Sequence, residues 1–392
     1  MKMFKKIACI GVATTLLAMT LTACGGGSGG DDVWRIGGIG PTTGGAGLFG
    51  QSVQNGAQLA VDQINAAGGI NGFQIEFNFQ DDEHDAEISV NAYNSLKDWG
   101  MQILLGTVTS NPAIAVSEEA YQDNLFMLTP TATAVRAIAP PNAFRVCFSD
   151  PSQGVASARY IHETNLAERI AILYDSSDAY STGIFETFVA EADLLGLNIV
   201  ASEAFTAANR TDFSVQLQIA QNADADLLFM PFYFQEAALV LQQAYNMDFQ
   251  PIFFSCDGMD GILDVDGFDA TLAEGVMFLA PFAATSQDET TQAFVQAYQA
   301  EFGSLPNQFA ASGYDGIFVL KAAIEHANLT PDMSVSDLTD ALVATMLEIT
   351  VNGVTLYQAT WSADGEPDKE PLVLEIRDGI YHIIYPEEFA TN

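Results

Sequence analysis

At 392 residues, with 49% hydrophobic side chains and 26 Phe, the chain can bury cores for two domains of ordinary size and is no disordered polymer. Thirteen basic against 50 acidic residues give a formal charge of −37. That balance speaks against nucleic acid as a partner, because phosphate binding requires clustered Lys and Arg. The acidity bears on solubility and habitat rather than on fold.

Lys2, Lys5 and Lys6 precede an apolar run at 7–21 that is too short and too rich in small residues for a good membrane span. LTAC and then GGGSGG follow. Leader, Cys24 and flexible tether in this order resemble the bacterial lipoprotein signal. The resemblance implies removal of 1–23, lipidation of Cys24, and a tether over 24–32. The alternative is an ordinary secretory signal with a chance cysteine. A lipid anchor holds a domain at a membrane surface without spanning it. No later run approaches 18 apolar residues, so the body is expected to be extracytoplasmic, soluble and anchored to the cell membrane. Cys147 and Cys256 could pair in an exported chain or lie buried as small apolar residues.

From 33 onward, strand and helix alternate. VWRIGGIG (33–40) reads as a strand ending in the loop PTTGGAGLFG. Val53, Ala57, Val61 and Ile64 then mark one helix face, which stops at Gly68-Gly69. Ile75, Phe77 and Phe79 alternate in a second strand, and Asp85 caps a helix carrying Val90, Tyr93 and Leu96. MQILLG (101–106) is a buried strand, after which Asn111 is expected to cap a helix with Pro112 in its first turn. LFML (125–128) and AFRVCF (143–148) are further strands, and Asp150-Pro151 opens another helix. The hydroxyl-rich loops after 106 and 128 would thus lie side by side at carboxyl ends of neighbouring strands. Open α/β sheets bind ligands there, and free helix N–H groups favour a carboxylate. Ordinary βα turns with Ser and Thr as helix caps would read the same way.

A second series begins at RIAILYD (169–175), with strands near 197–202, 226–230, 251–254 and 275–280 alternating with helices. Helices near 288–302, 309–328 and 335–347 come next, then irregular strands with turns at Asn352-Gly353, Asp364-Gly365 and Asp378-Gly379. The fold class is α/β: two Rossmann-like lobes with a cleft between them.

Enzyme signatures fail. Gly38-Ile39-Gly40 is not completed as a dinucleotide fingerprint, and no P-loop Lys follows. DGMDGILDVDGFD (257–269) lacks EF-hand spacing and reads as a solvated acidic loop. The four His are scattered without metal-site spacing, and no GxSxG elbow is present.

GAQLAVDQINAAGGING (56–72), FQDD, LTPTAT (128–133), RIAILYDSSDAYSTG (169–183), FTAANRTDFS, DLLFMPFY and CDG, in this order, resemble the leucine/isoleucine/valine-binding family of type I periplasmic solute-binding proteins. The resemblance implies a three-segment hinge joining lobe 1 (33–148 plus 281–350) to lobe 2 (149–280 plus 351–392). It implies that Ser110, the backbone at Thr131, and Thr133 clamp a ligand's α-carboxylate and α-amino group. It also implies that Asp257 receives the ammonium, Tyr233 closes over the ligand, and Phe49, Tyr180 and Phe309 line the side-chain pocket. His84 and Thr109 stand where relatives can carry a disulfide, so that bridge is absent. The implied function is that of a monomer that delivers a free amino acid to the membrane permease of an ATP-binding-cassette importer, with no cofactor. A sensor domain, a binder of a related amide, urea or aromatic acid, and a hydrolase of small amides are the alternatives.

Overall fold

Short apolar runs closed by Gly, Thr or Asp make the strands, and longer amphipathic runs between them make the helices. The structure is a computed structural model, described over residues 32–384. The leader, Cys24, most of the tether and residues 385–392 lie outside the described residues.

The first sheet holds β1 (Trp34–Gly40), β2 (Ile75–Asp81), β3 (Ile103–Gly106), β4 (Phe126–Thr129) and β5 (Ala143–Arg145), all parallel, in the order β2-β1-β3-β4-β5. Helices α1 (Gly47–Ala66), α2 (Ala86–Trp99) and α3 (Ser110–Gln122) connect its strands. The second holds β6 (Ile170–Asp175), β7 (Ile199–Phe205), β8 (Leu227–Met230), β9 (Ile252–Ser255), β10 (Met277–Ala280), β11 (Leu372–Arg377) and β12 (Ile380–Ile383). Its order is β12-β11-β10-β9-β8-β6-β7, with β11 and β12 antiparallel. Helices α4 (Asp150–Thr164), α5 (Ala179–Leu195), α6 (Ser214–Asn222) and α7 (Phe234–Asn246) serve this sheet. The chain then adds α8 (Glu289–Phe302), α9 (Gln308–His326) and α10 (Val335–Met346) to the first core.

The run β7-β6-β8-β9-β10 repeats the order of the first sheet, strand for strand. Both sheets are wound on both faces, so their inner strands β3, β4, β8 and β9 read as apolar runs, while the edge strands β2 and β7 carry polar residues between apolar ones. In the first, Ile36, Ile103, Leu105 and Phe126 pack on Ile64 of α1 and Leu320 of α9, while Leu104 and Met127 pack on Tyr93 and Val116. In the second, Ile172 and Phe229 meet Ile184 and Phe188 of α5, and Ala171 and Leu228 meet Leu217 and Leu241. Each fully buried side chain of this size contributes about 1.5–3 kcal/mol of transfer free energy.

Helix starts follow local chemistry. Asp85 accepts from the Glu87 and Ile88 N–H groups at the start of α2, as expected. α3 begins two residues earlier than the capping pattern predicts, with Thr109 rather than Asn111 as its boundary residue. Ser149, not Asp150, caps α4. The tail departs from expectation more clearly. Val351, Leu356, Ala359 and Trp361 pack in the first core, whereas the sequence reading assigned 351 onward to the second lobe. They pair among themselves, Val351 with Ala359 and Trp361 with Pro367, and the Trp361 indole donates to the Arg145 carbonyl at 2.8 Å. Only at Leu372 does the chain join the second sheet. It therefore passes between the cores after β5, after β10 and before β11. Among the described residues, no helix is long and apolar enough to cross a membrane.

Candidate functional site

The carboxyl ends of β3 and β4 meet those of β6, β8 and β9 at one small cavity. Ser110, Thr131, Thr133, Phe49 and Phe309 line it from the first core; Tyr180, Tyr233 and Asp257 line it from the second. All eight residues singled out in the sequence are thus brought together. Val108, Thr109 and Gly258 complete the lining.

The first wall is an array of donors. Ser110 starts α3, so the unpaired N–H groups of that helix's first turn lie at the wall. Its hydroxyl accepts from the Ala134 N–H at 3.2 Å. Thr131 donates its hydroxyl to the Val108 carbonyl at 2.7 Å, which leaves its backbone N–H as the group available to a ligand. Arg145, fully buried, holds this loop from behind. Its guanidinium donates to the carbonyls of Ala132 (3.2 Å), Thr133 and Ala134 (2.9 Å), and its Nε lies 3.3 Å from Glu366. Such a fork fixes three successive carbonyls with one side chain.

The second wall carries the acid. Asp257 opens a short 3-10 turn (Asp257–Met259) after β9 and is 5% exposed. Its N–H donates to Gln153 at 3.0 Å, and its carbonyl accepts from the Gln308 amide at 2.6 Å. Its Oδ1 is buried without a hydrogen-bond partner. Burial pushes the carboxyl up to about 6, against the pull of Tyr180, Gln153 and the Gly258 N–H. The Tyr180 hydroxyl accepts from the Gly258 N–H at 2.9 Å, and its ring stacks on Tyr233 at 4.8 Å. Residue 258 must be Gly, since a Cβ there would lie 2.8 Å from the Tyr180 hydroxyl and 2.9 Å from the Tyr233 ring. Phe49 and Phe309 stack at 4.0 Å, and Tyr233 meets Phe49 edge-on at 5.5 Å. The result is a slot with hydroxyls and N–H groups on one wall, an unpaired carboxylate oxygen on the other, and aromatic sides.

Several neighbours of the site escaped the sequence reading. Asp150 lies behind Thr133, to whose carbonyl its N–H donates at 2.9 Å, and both its carboxylate oxygens are buried and unpartnered. Burial holds its carboxyl well above the usual range, with Thr133 and Arg145 pulling the other way. The run SDPSQG reads in sequence only as a helix start. His84 bonds the Thr109 hydroxyl through Nδ1 at 2.9 Å and lies 3.7 Å from Asp178 through Nε2. It is a turn residue without metal-site partners, as expected, but one held by two side chains, and a hydrogen bond joins the two positions where a bridge was expected to be absent. Burial and the Arg210 charge lower its pKa to about 4. His84, Asn111 and Asp178 border a larger groove that shares Tyr180 and Tyr233 with the cavity.

Two other expectations are settled by position. Cys147 and Cys256 are both free and buried, the apolar option. The run 257–269 is solvated only in part: Asp257, Asp260 and Ile262 are buried, and exposure begins beyond them. Among the described residues, no group of three or more His, Cys, Asp or Glu could hold a metal ion.

Residues 33–379 match the family model described as periplasmic binding protein. The chain is 30% identical over 300 residues to the Leu/Ile/Val-binding protein homolog 3 of Brucella melitensis, covering 76% of this chain and 80% of that protein. A leucine-binding protein of Thermotoga maritima has the same fold at a TM-score of 0.81 and 25% identity, over 91% of this chain and 100% of that one. The substrate-binding protein of a Streptococcus pneumoniae branched-chain amino acid transporter, solved with isoleucine, aligns at a TM-score of 0.81 and 27% identity, over 90% and 100%. Two sheets of one strand order, a site at their facing carboxyl ends and a family match over nearly all the described residues agree: the chain belongs to the periplasmic binding protein family, as a type I member of its Leu/Ile/Val-binding branch.

Proposed function

We propose that the chain binds a free amino acid with an apolar, branched side chain between its two cores and hands it to the permease of an ATP-binding-cassette importer. The carboxylate lies against Ser110, the Thr131 N–H and Thr133; the ammonium lies against Asp257; the side chain lies between Phe49 and Phe309. A zwitterion leaving water needs donors at one end and an anion at the other, or its desolvation is uncompensated. The observation that carries this reading is Asp257 Oδ1, buried at the cavity with no partner of its own. A buried carboxylate oxygen that faces a cavity can be satisfied by a ligand's ammonium. The names of the relatives support the same ligand class.

Binding favours the closed arrangement only by the contacts that exist there, so Tyr233 and Asp257, facing the first wall, supply the drive. Lipidation at Cys24 would hold a monomer at the outer face of the membrane beside its permease. No cofactor is needed, because the ATPase supplies the transport energy.

A thermal-shift screen of the twenty amino acids tests the reading, since a ligand that binds only the native state raises its melting temperature. Isoleucine, leucine and valine should give the largest shifts. No shift with any amino acid would end it. Mass analysis of the N-terminal peptide reads the lipid, and uptake into vesicles with the reconstituted permease separates delivery from sensing.

A further inference from the structure

The turn that carries Asp257 also carries a second buried acid, and that acid does not face the cavity. Asp260, 2% exposed, accepts from the backbone N–H of Gln308 through Oδ2 at 2.9 Å. Gln308 is the first residue of α9, a helix packed in the first core, while Asp260 follows β9 of the second sheet. The same Gln308 sends its side-chain amide to the Asp257 carbonyl at 2.6 Å. Asn307 separately takes the Ala310 N–H at 3.0 Å, so α9 has an internal cap and Asp260 is an additional one. A carboxylate suits that place, because free N–H groups and the helix dipole both favour negative charge. The next residue is locked as well. The Gly261 N–H donates to the Tyr381 hydroxyl at 3.2 Å, and a Cβ at Gly261 would lie 2.6 Å from Leu48 of α1.

We infer that Asp260 and Gln308 form a latch between the two cores, which positions Asp257 and sets how long the closed cleft persists. Neither residue is expected to touch the ligand. The latch exists only when the cores meet, because its donor and acceptor sit on opposite cores. Opening the cleft breaks two buried hydrogen bonds, one of them to a carboxylate. Asp260 keeps its other oxygen, Oδ1, buried without a partner. Burial accordingly pushes its carboxyl up to about 7, against the pull of the Gln308 N–H.

The inference rests on the cleft-binding reading above, and its test separates the two. A fluorophore pair, one on each core, reports closure in stopped flow with L-isoleucine as the probe. Asp260→Ala and Gln308→Ala should each raise the off-rate about tenfold and leave the on-rate within about twofold, the size expected for losing a bond to a charged group. Asp260→Asn, which keeps an acceptor for the Gln308 N–H, should recover most of the loss. A purely structural role would lower the melting temperature without this split and without rescue. Off-rates equal to that of the unaltered chain would overturn the latch. If no amino acid binds, the cleft reading falls and the latch is judged on the ligand-free ensemble. There, an Asp260→Ala chain with an unchanged closed fraction overturns it, and a smaller closed fraction supports it.

Discussion

Phe49 and Phe309 stack at a centroid distance of 4.0 Å, although one stands near the start of the chain and the other near its end. What holds them together lies one to two turns along their helices. A Cβ on Gly56 of α1 would sit 1.9 Å from the Ala310 carbonyl oxygen of α9, and one on Gly313 would sit 2.5 Å from the Val53 carbonyl. The two backbones touch because neither helix has a side chain there.

Gly56→Ala therefore sets two effects against each other. Alanine gains about 0.5–1 kcal/mol of helix propensity over glycine. Against this stands overpacking against rigid backbone, which costs about 1–3 kcal/mol. The overpacking wins. Scanning calorimetry should show a melting temperature lower by several degrees, and ligand affinity should fall too because the aromatic wall shifts. An unchanged melting temperature would mean that the helices separate at no cost.

Asp257→Ala removes the anion proposed to face the ligand's ammonium. Affinity should fall by about 2–5 kcal/mol, the cost of leaving a buried charge unpaired. Stability should hold or rise slightly, because a buried carboxylate with an unpartnered oxygen disappears with it. Calorimetric titration with isoleucine reads the first effect and thermal melting the second. Full affinity in the alanine variant removes Asp257 from the site.

Arg145 acts only through the loop it holds. Arg145→Ala removes the donor shared by three loop carbonyls and the cation beside Glu366, and each buried hydrogen bond to a charged group is worth about 1.5–3 kcal/mol. Lysine should not restore it, since a point charge cannot make the three-carbonyl fork. Urea unfolding should give a large loss of stability for both variants. Ligand binding should be lost even where the chain still folds, and an Arg145→Lys chain with normal affinity would contradict this.

Acidity has a signature in stability. Burial, the leading cause for each, raises Asp82, Asp178 and Asp260 to about 7 and Asp257 to about 6. A carboxyl raised in the folded state contributes stability that is full below its unfolded value near 4 and is lost as pH rises through 6 to 7. His84, lowered to about 4, works oppositely: its contribution is present above 6.5 and is lost as pH falls toward 4. Four acids outweigh one imidazole, so the melting temperature should be higher at pH 5 than at pH 8. Asp82 offers a clean check. Its Oδ1 accepts from the His84 N–H at 2.9 Å, a bond Asn can keep, while Oδ2 has no partner. Asp82→Asn should raise the melting temperature at pH 8 by several degrees and change it little at pH 4. A parallel pH profile in the variant would refute the assignment.

The sheets were legible in the sequence because most strands are short apolar or alternating runs punctuated by turn residues, a signal carried by neighbours in the chain. The eight cavity residues were legible mostly through resemblance, since Ser, Thr and Asp after a strand read equally as helix caps. What stayed hidden depends on contacts between distant segments. Gln308 looks like any polar first residue of a helix, and Asp260 like part of a solvated acidic loop, until the turn after β9 is seen to meet the start of α9. His84 gave no spacing signal because its partners, Thr109 and Asp178, come from different elements. The residues from 351 to 361 were misassigned for the same reason: short strand-like runs do not name their core, and Trp361 found its place through Arg145.

The two sheets share one strand order, and each presents only its carboxyl edge to the cavity. In the proposed pose the ligand's opposite poles are gripped from separate frames, which makes the molecule a caliper: its jaws meet only on a guest whose charged ends lie the right distance apart. A β-amino acid of the same bulk, one methylene longer between its poles, would prop the jaws open, so the discrimination would be one of length before it is one of shape.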